Sequence, residues 1–479
     1  MRIEVADVSA HVAVLELRMP FHFGNVAVTE IPHVFLEAEV AVDESTRSGI
    51  SMGGLIPMWF YKDPDMPYED GLTTMAEVFS TVGSFAEDVD ATDSPFAFWE
   101  ALYQRARDWG EGVHPPLVWN YGVSMVEAAL LDAVCRSHEL TFSEGVRKNI
   151  FGIELGHIYE ELEGMSPGEL LPTSPSTDIA IRHTVGQTDP LTEDEIRSKD
   201  RLNDGLPQAL SEYVVTDGVR HLKIKLSGDG DVDADRLAAI DEVMTDLGVS
   251  EYKFTADANE SFGSATSFRD GWEQIESDPR LETALENLLY VEQPLARDQA
   301  FSEETKHVLS EWEQCPPVII DESDGLLRSA GRALEYGYVG TSHKNCKGIF
   351  KGIANACLIA NRNRLDPEQE YVISAEDLTT IGPIELFQDL AVVATIGVDH
   401  VERNGHHYFR GLDAFDESIQ KQILDSHGDL YRRHDEGFPT LAVDEGRISL
   451  HSVLDAPFGV KPKFDMSEYE RLESWMGSL

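Results

Sequence analysis

Five short apolar runs in this sequence end in side chains able to handle protons or metal ions. HLKIKL carries Lys223 and Lys225, YKFTADAN ends in Asp257 and Asn259, LLYVEQP in Glu292, PPVIIDES in Asp321 and Glu322, and YVGTSHK in Lys344. Residues two apart on a strand share a face, so Lys223 goes with Lys225 and Asp257 with Asn259, while Leu222, Ile224 and Leu226 take the opposite side. The acids are spaced by 35 and 29 residues, and Lys344 follows Asp321 by 23. Each acid alone reads equally well as a helix cap or a solvated turn, and the lysine pair as an edge strand. The ordered series does not. Three carboxylates brought together repel one another and require a cation, and hard oxygen donors with room left for water suit Mg²⁺. A lysine beside a divalent ion is destabilised in its charged form and moves toward a useful base. The ion can meanwhile hold a carboxylate and offset the charge that grows as an α-proton leaves. The chemistry these residues suit is removal of the α-proton of a small carboxylate through an enediolate.

Such a constellation needs strands that end side by side. Eight candidate strands lie between about residues 179 and 404: DIAIRHTVG, HLKIKL, YKFTADAN, LLYVEQP, PPVIIDES, YVGTSHK, EYVISAED and VDHVERN. Helical stretches such as ADRLAAIDEVMTDL and IELFQDLAVVATIG separate most of them. Strands alternating with helices imply parallel pairing, and eight such units match a β/α barrel, whose catalytic groups sit at the C-terminal strand ends. The apolar faces should meet the helices, leaving both lysines directed inward.

The expected fold class is α/β: a (β/α)8-type barrel at 179–439, preceded by an α+β domain at 1–150 and a Pro/Ser/Thr-rich linker at 151–178. The closing segment, 440–479, has no matching unit and is expected to return to the N-terminal part. VAVLELRM and HVFLEAEVAV read as strands, with MPFHFGNVAVTEIP and RSGISMGGLIPMWFYKD as irregular loops, the latter holding an exposed-looking Trp59-Phe60-Tyr61. SMVEAALLDAVCRSH places Val126, Ala129, Leu130, Ala133 and Val134 on one helical stripe.

The 479 residues suffice for two or three domains or one large barrel with an addition. Hydrophobic residues at 42% exclude global disorder. Lys and Arg number 38 against 87 Asp and Glu, a formal charge of −49, which repels phosphate backbones and anionic lipid heads and so disfavours nucleic acid and membrane partners. Four scattered cysteines form no Cys-x-x-Cys pair, which argues against a disulfide scaffold or cysteine zinc cluster and suits a reducing cytoplasm. The N-terminus lacks the apolar segment of a secretory signal, and no run reaches the roughly 20 apolar residues of a membrane span.

Other motifs are weaker. LSGDGDVDAD lacks the third glycine of a dinucleotide loop and the twelfth-position acid of a calcium loop; it reads as a turn capping the next helix. No Gly-Lys-Ser/Thr loop and no His-Glu-x-x-His occurs. His183 reads as a core histidine and His343 as outward-facing. Glu376, Asp377, Glu402, His406 and His407 stand at the late strand ends, where they can bind substrate hydroxyls or pair with interior arginines.

Taken in order, LKIKL, ADAN, VEQP, IIDES and HKNCKG resemble the enolase superfamily, in its mandelate racemase/muconate lactonizing enzyme branch. The helix EAALLDA at 127–133 and Pro20-Phe21 add to the likeness, which spans nearly the whole chain. The resemblance implies a barrel capped by the N-terminal domain, with substrate loops at about 20–31 and 48–62. It implies one Mg²⁺ on Asp257, Glu292 and Asp321, Asp321 being favoured over Glu322. Lys225 would be the acid/base, Lys223 its assistant and Lys344 the opposing lysine; VISAEDLTT offers no histidine in the seventh strand, so the two-lysine arrangement is favoured. Asn259, Glu376, His406 and His407 are the expected substrate contacts. The sequence departs from the pattern at HKNCKGIFKG, with single glycines at Gly348 and Gly352, and at HVERNGHHYFRG. The expected function is Mg²⁺-dependent dehydration or epimerisation/racemisation of a hydroxy or sugar acid by a cytoplasmic homo-oligomer acting on a small carboxylate. The alternatives are a cycloisomerase or an N-acyl or dipeptide epimerase, and, in another class, a noncatalytic metal-bearing barrel that binds a ligand.

Overall fold

The computed structural model of the chain describes residues 1–23, 26–63 and 65–479. Gly24 and Asn25, within the expected 20–31 loop, and Pro64 lie outside the described residues. The chain opens with three antiparallel strands, β1 (Ile3–Phe23), β2 (Val26–Val42) and β3 (Ser45–Gly54). Both stretches expected to be irregular loops are in part strand. β1 and β2 pair out to Phe21↔Val28 and Phe23↔Val26 after a register shift beyond Glu16, so cross-strand pairing of apolar residues overrides the local Gly and Pro signals. The Gly-rich RSGISMGG lies in β3, because its glycines admit a helix: a Cβ on Gly49 would stand 2.0 Å from the Ala129 carbonyl oxygen.

Four helices follow: α1 (Pro57–Tyr61), α2 (Tyr68–Glu87), α3 (Pro95–Gly110) and α4 (Pro116–His138). Trp59 and Phe60, which the sequence suggested were exposed, are buried, Phe60 stacking on Tyr121. α4 is buried on every side from Leu117 to Cys135 rather than on one stripe. It is long and apolar enough to cross a membrane, and that apolar window is wholly enclosed by the fold.

The second half builds a sheet from β4 (Asp178–Val185), β5 (His221–Lys225), β6 (Lys253–Asp257), β7 (Leu288–Glu292), β8 (Val318–Ile320), β9 (Gly340–His343), β10 (Val372–Ala375) and β11 (His400–Glu402). These are the eight segments read from the sequence, and every ladder between neighbours is parallel. The order is β10-β9-β8-β7-β6-β5-β4-β11, so the first strand pairs with the last. Among the described residues no ladder joins β10 to β11. The sheet is curled: Lys223 of β5 touches acids at the ends of β7, β10 and β11 together. Helices cover its outer face, one of them, Gly230–Asp246, capped by Asp229 of the acidic turn.

The C-terminal segment serves both halves. β12 (Tyr431–Arg433) and β13 (Pro439–Leu441) form a small hairpin, β14 (Arg447–Ser449) lies antiparallel on β4, and β15 (Glu470–Arg471) adds to β1.

Candidate active site

Strand register sets the site. Lys225 is level with Asp257, and Asp257 with Glu292; Glu292 is level with Ile319, two residues before Asp321. Lys344 directly follows β9. The inward lysines enter a cage of acids. Lys223, 2% exposed, donates to Glu292 Oε1 at 3.0 Å, to Glu402 Oε2 at 3.2 Å and to Glu376 Oε2, and lies 3.1 Å from Asp257 Oδ2. Lys225 is partly exposed and donates to Asp257 Oδ2 at 2.5 Å and to the Asn259 amide oxygen. Asn259 in turn donates from Nδ2 to Glu322 Oε1 at 2.9 Å.

Asp321 belongs to a separate group of lysines. Lys344 Nζ lies 2.8 and 2.7 Å from its two carboxylate oxygens, Lys347 Nζ lies 2.6 Å from Oδ1, and Ser342 donates to Oδ1. Gln293 orders the backbone here: its amide oxygen accepts from the Asp321 and Ser323 amides at 2.8 and 3.1 Å. Over Lys344 lies the Trp59 ring, its centroid 5.0 Å from Nζ, a cation–π contact made by α1. α1 is held by Arg297, which pairs with Glu260 and donates to the carbonyls of Trp59 and Phe60. Asn259, Glu260 and Gln293 all have positive φ, so the backbone is strained just beyond Asp257 and Glu292.

Burial and neighbouring charge set opposite protonation tendencies. Burial pushes the Asp321 carboxyl up, but Lys344, Lys347 and Lys223 together hold it well below the ordinary range. Burial also works against charge on Lys344, and Asp321 reverses it, so the ammonium is stabilised. Glu292 goes the other way: burial and then Asp257 and Glu376 raise it well above the usual carboxylate range. Glu322 is raised by burial and by Asp321 and Asp257. Despite burial, Glu376 is held low by Arg182 and Lys223.

Lys223, Lys225, Asp257, Asn259, Glu292 and Glu376 therefore form one connected cluster, and Asp321 and Lys344 a second one beside it. His406 and His407 are elsewhere. Their rings contact His183 and Tyr213, and the Tyr213 hydroxyl is 2.6 Å from His407 Nδ1. His183 sits between Arg182 and Thr184, whose side chains reach inward to Glu376 and Glu402, so this histidine group lies on the outer side of the sheet. Sequence reasoning missed Lys347, Gln293 and the covering role of Trp59. Lys347 could have been found three residues beyond Lys344, where a tight turn brings its amine back to the same acid.

Magnesium was inferred from three carboxylates. The donors fit in kind: all three are buried, and Glu292 Oε2 has no hydrogen-bond partner among the described residues. Their placement is less complete. Among the described residues no three His, Cys, Asp or Glu side chains are grouped so as to hold a metal ion, and the amines of Lys223, Lys344 and Lys347 face the acid oxygens.

No protein-family model matches the chain, and no curated protein matches it. Solved structures do. It is similar to a mandelate racemase/muconate lactonizing enzyme from Bordetella bronchiseptica RB50, at 15% identity and a TM-score of 0.59 over 99% of each chain. It is similar to an enolase from Bradyrhizobium complexed with magnesium and mandelic acid, at 12% identity and a TM-score of 0.57 over 94% of each chain. A dipeptide epimerase from Enterococcus faecalis V583, complexed with Mg and the dipeptide L-Leu-L-Tyr, matches at 14% identity and a TM-score of 0.57, over 85% of this chain and 92% of that one. At such identities a likeness speaks for architecture alone: the chain shares the overall fold of these solved structures.

Proposed function

We propose that this chain is a lyase or isomerase that removes the α-proton of a small carboxylate, with dehydration or epimerisation/racemisation of a hydroxy or sugar acid as its reaction. The observation that carries this reading is the order of groups across the sheet: Lys225 on β5, acids ending β6 and β7, an acid just past β8, and Lys344 after β9. A substrate lying over the acids would present one face to each amine. In this reading the curled sheet is a β/α barrel, residues 1–150 are its cap, 151–178 the linker and 440–479 a segment shared between the two. The reach of Lys223 to β7, β10 and β11, and the seating of Trp59 over Lys344, support that assignment.

Asp257, Glu292 and Asp321 would hold Mg²⁺, with the amines of Lys223, Lys344 and Lys347 giving up part of their hold on them. When bound, the ion would hold the substrate carboxylate and offset the negative charge that grows on it. The rest is the work of the chain. Lys225 Nζ, fixed by Asp257 and Asn259, would take the α-proton. Lys344, kept charged by Asp321, would deliver a proton to the opposite face or to a departing hydroxyl. Glu376 and Glu402, held on Lys223, would accept hydrogen bonds from substrate hydroxyls. Trp59 and the buried surroundings would exclude water from the Lys344 amine.

The test is α-hydrogen exchange. The protein is incubated in D₂O with Mg²⁺ and a panel of hydroxy acids, sugar acids and N-acyl amino acids, and deuterium at the α-carbon is followed by NMR. Mg²⁺-dependent incorporation into a hydroxylated acid is expected. Incorporation into N-acyl amino acids alone would replace the substrate class, and a chain that binds no divalent ion would end the reading.

A further inference from the structure

We propose that Glu127 and Asn120, on helix α4, are positioning residues for the turn that carries Lys344 and Lys347, so that the two amines on Asp321 are set from the N-terminal half of the molecule. The long helix Ile349–Leu365 begins after Gly348, which has φ of 102° and no side chain to cap it. The first amides of a helix need acceptors from outside it. Here they come from 222 and 223 residues earlier in the chain: Glu127 Oε2 lies 3.0 Å from the Ile349 amide and Oε1 lies 2.6 Å from the Phe350 amide. Asn120, two turns back on α4, donates from Nδ2 to the Lys347 carbonyl at 2.6 Å. The two contacts clamp the chain on both sides of Gly348.

Glu127 is 1% exposed, and among the described residues it has no Lys, Arg or His ion pair. Its compensation is the pair of amides and the positive end of the helix they open. Without Glu127 those amides would be buried and unmet, and a glycine offers no local substitute. Between the clamp and the site only a three-residue turn, Asn345–Lys347, intervenes before Lys344. Lys347 is locked at its far end as well, donating to the Asp321 and Ser342 carbonyls at 2.9 and 3.0 Å. A shift of the clamp therefore moves both amines relative to Asp321. The bearing on catalysis rests on the reaction proposed above; the placement of the amines does not, and it is tested without substrate.

The experiment is competitive acetylation of the full-length protein with trace acetic anhydride, each lysine quantified by mass spectrometry and Lys225 serving as internal reference. In Glu127→Ala, labelling of Lys344 and Lys347 should rise about tenfold relative to Lys225, the scale of a lost helix cap. In Glu127→Gln, whose single amide oxygen can still accept from one of the two amides, the ratio should return part of the way to wild type. An unchanged ratio in Glu127→Ala, or a parallel rise at every lysine, would overturn the proposal. If Glu127→Ala does not fold, Asn120→Ala decides the matter: Lys347 must become more reactive while Lys225 does not, and no change contradicts it.

Discussion

Lys344 Nζ stands 2.7 Å from Asp321 Oδ2 and 2.8 Å from Oδ1, and Lys347 reaches the same carboxylate at 2.6 Å. One buried acid thus neutralises two buried amines. Asp321→Asn leaves both ammonium groups without a counter-charge, and loss of one partner from a buried pair costs about 3–5 kcal/mol. Urea unfolding at neutral pH should show that loss. Lys225→Ala should cost far less, because Lys225 is partly exposed. Equal losses in the two variants would contradict this account of Asp321.

Much of this was legible in the sequence. Apolar runs ending in Asp257, Glu292, Asp321 and Lys344 recur with the period of a strand–helix unit, and a buried parallel strand announces itself as such a run. Other features hang on contacts between distant segments. Lys223 meets Glu376 and Glu402, 153 and 179 residues away, and no local pattern marks that cage. His406 and His407 follow an inward-facing strand end, yet a short helix turns them outward to Tyr213. The 20–31 stretch reads as a loop by its Gly and Pro, but pairing with the opposite strand makes most of it β structure.

Acid should weaken the fold through its buried histidines. Burial lowers His33 to about 4, despite its bond to the Ile31 carbonyl. A group depressed in the folded state contributes full stability above its unfolded pKa and loses it as pH falls toward the folded one. For His33 the loss begins below pH ~6.5 at about 1.4 kcal/mol per pH unit. Between pH 7 and 5, His33→Gln should therefore lose about 2 kcal/mol less than wild type by urea unfolding. Equal losses would show that His33 titrates normally in the fold.

The charge of −49 should make stability depend on salt. Self-repulsion among surface acids opposes the compact state, and raising salt to 1 M shortens the screening length to about 3 Å. Tm should rise by several degrees between 0.1 and 2 M KCl. A flat or falling Tm would mean that the acids are already neutralised by local pairing.

Magnesium should stabilise the protein by mass action, by about 2.7 kcal/mol at a hundredfold excess over Kd. The shift in Tm should vanish in Glu292→Gln, which removes the carboxylate whose Oε2 lacks a partner among the described residues. It should also vanish in Asp257→Asn. A Mg²⁺ shift retained in both variants would place the ion elsewhere.

The most direct measurement is α-deuterium incorporation into the best acid of the panel by wild type, Lys225→Ala and Lys344→Ala, with each variant first shown to bind Mg²⁺. Loss of a positioned acid or base should slow exchange by about 10²–10⁴ in Lys225→Ala, with Lys344→Ala slowed wherever the proton is exchanged on the opposite face. Exchange at the wild-type rate in both variants, with Mg²⁺ bound, would contradict the assignment of these two amines as the proton carriers.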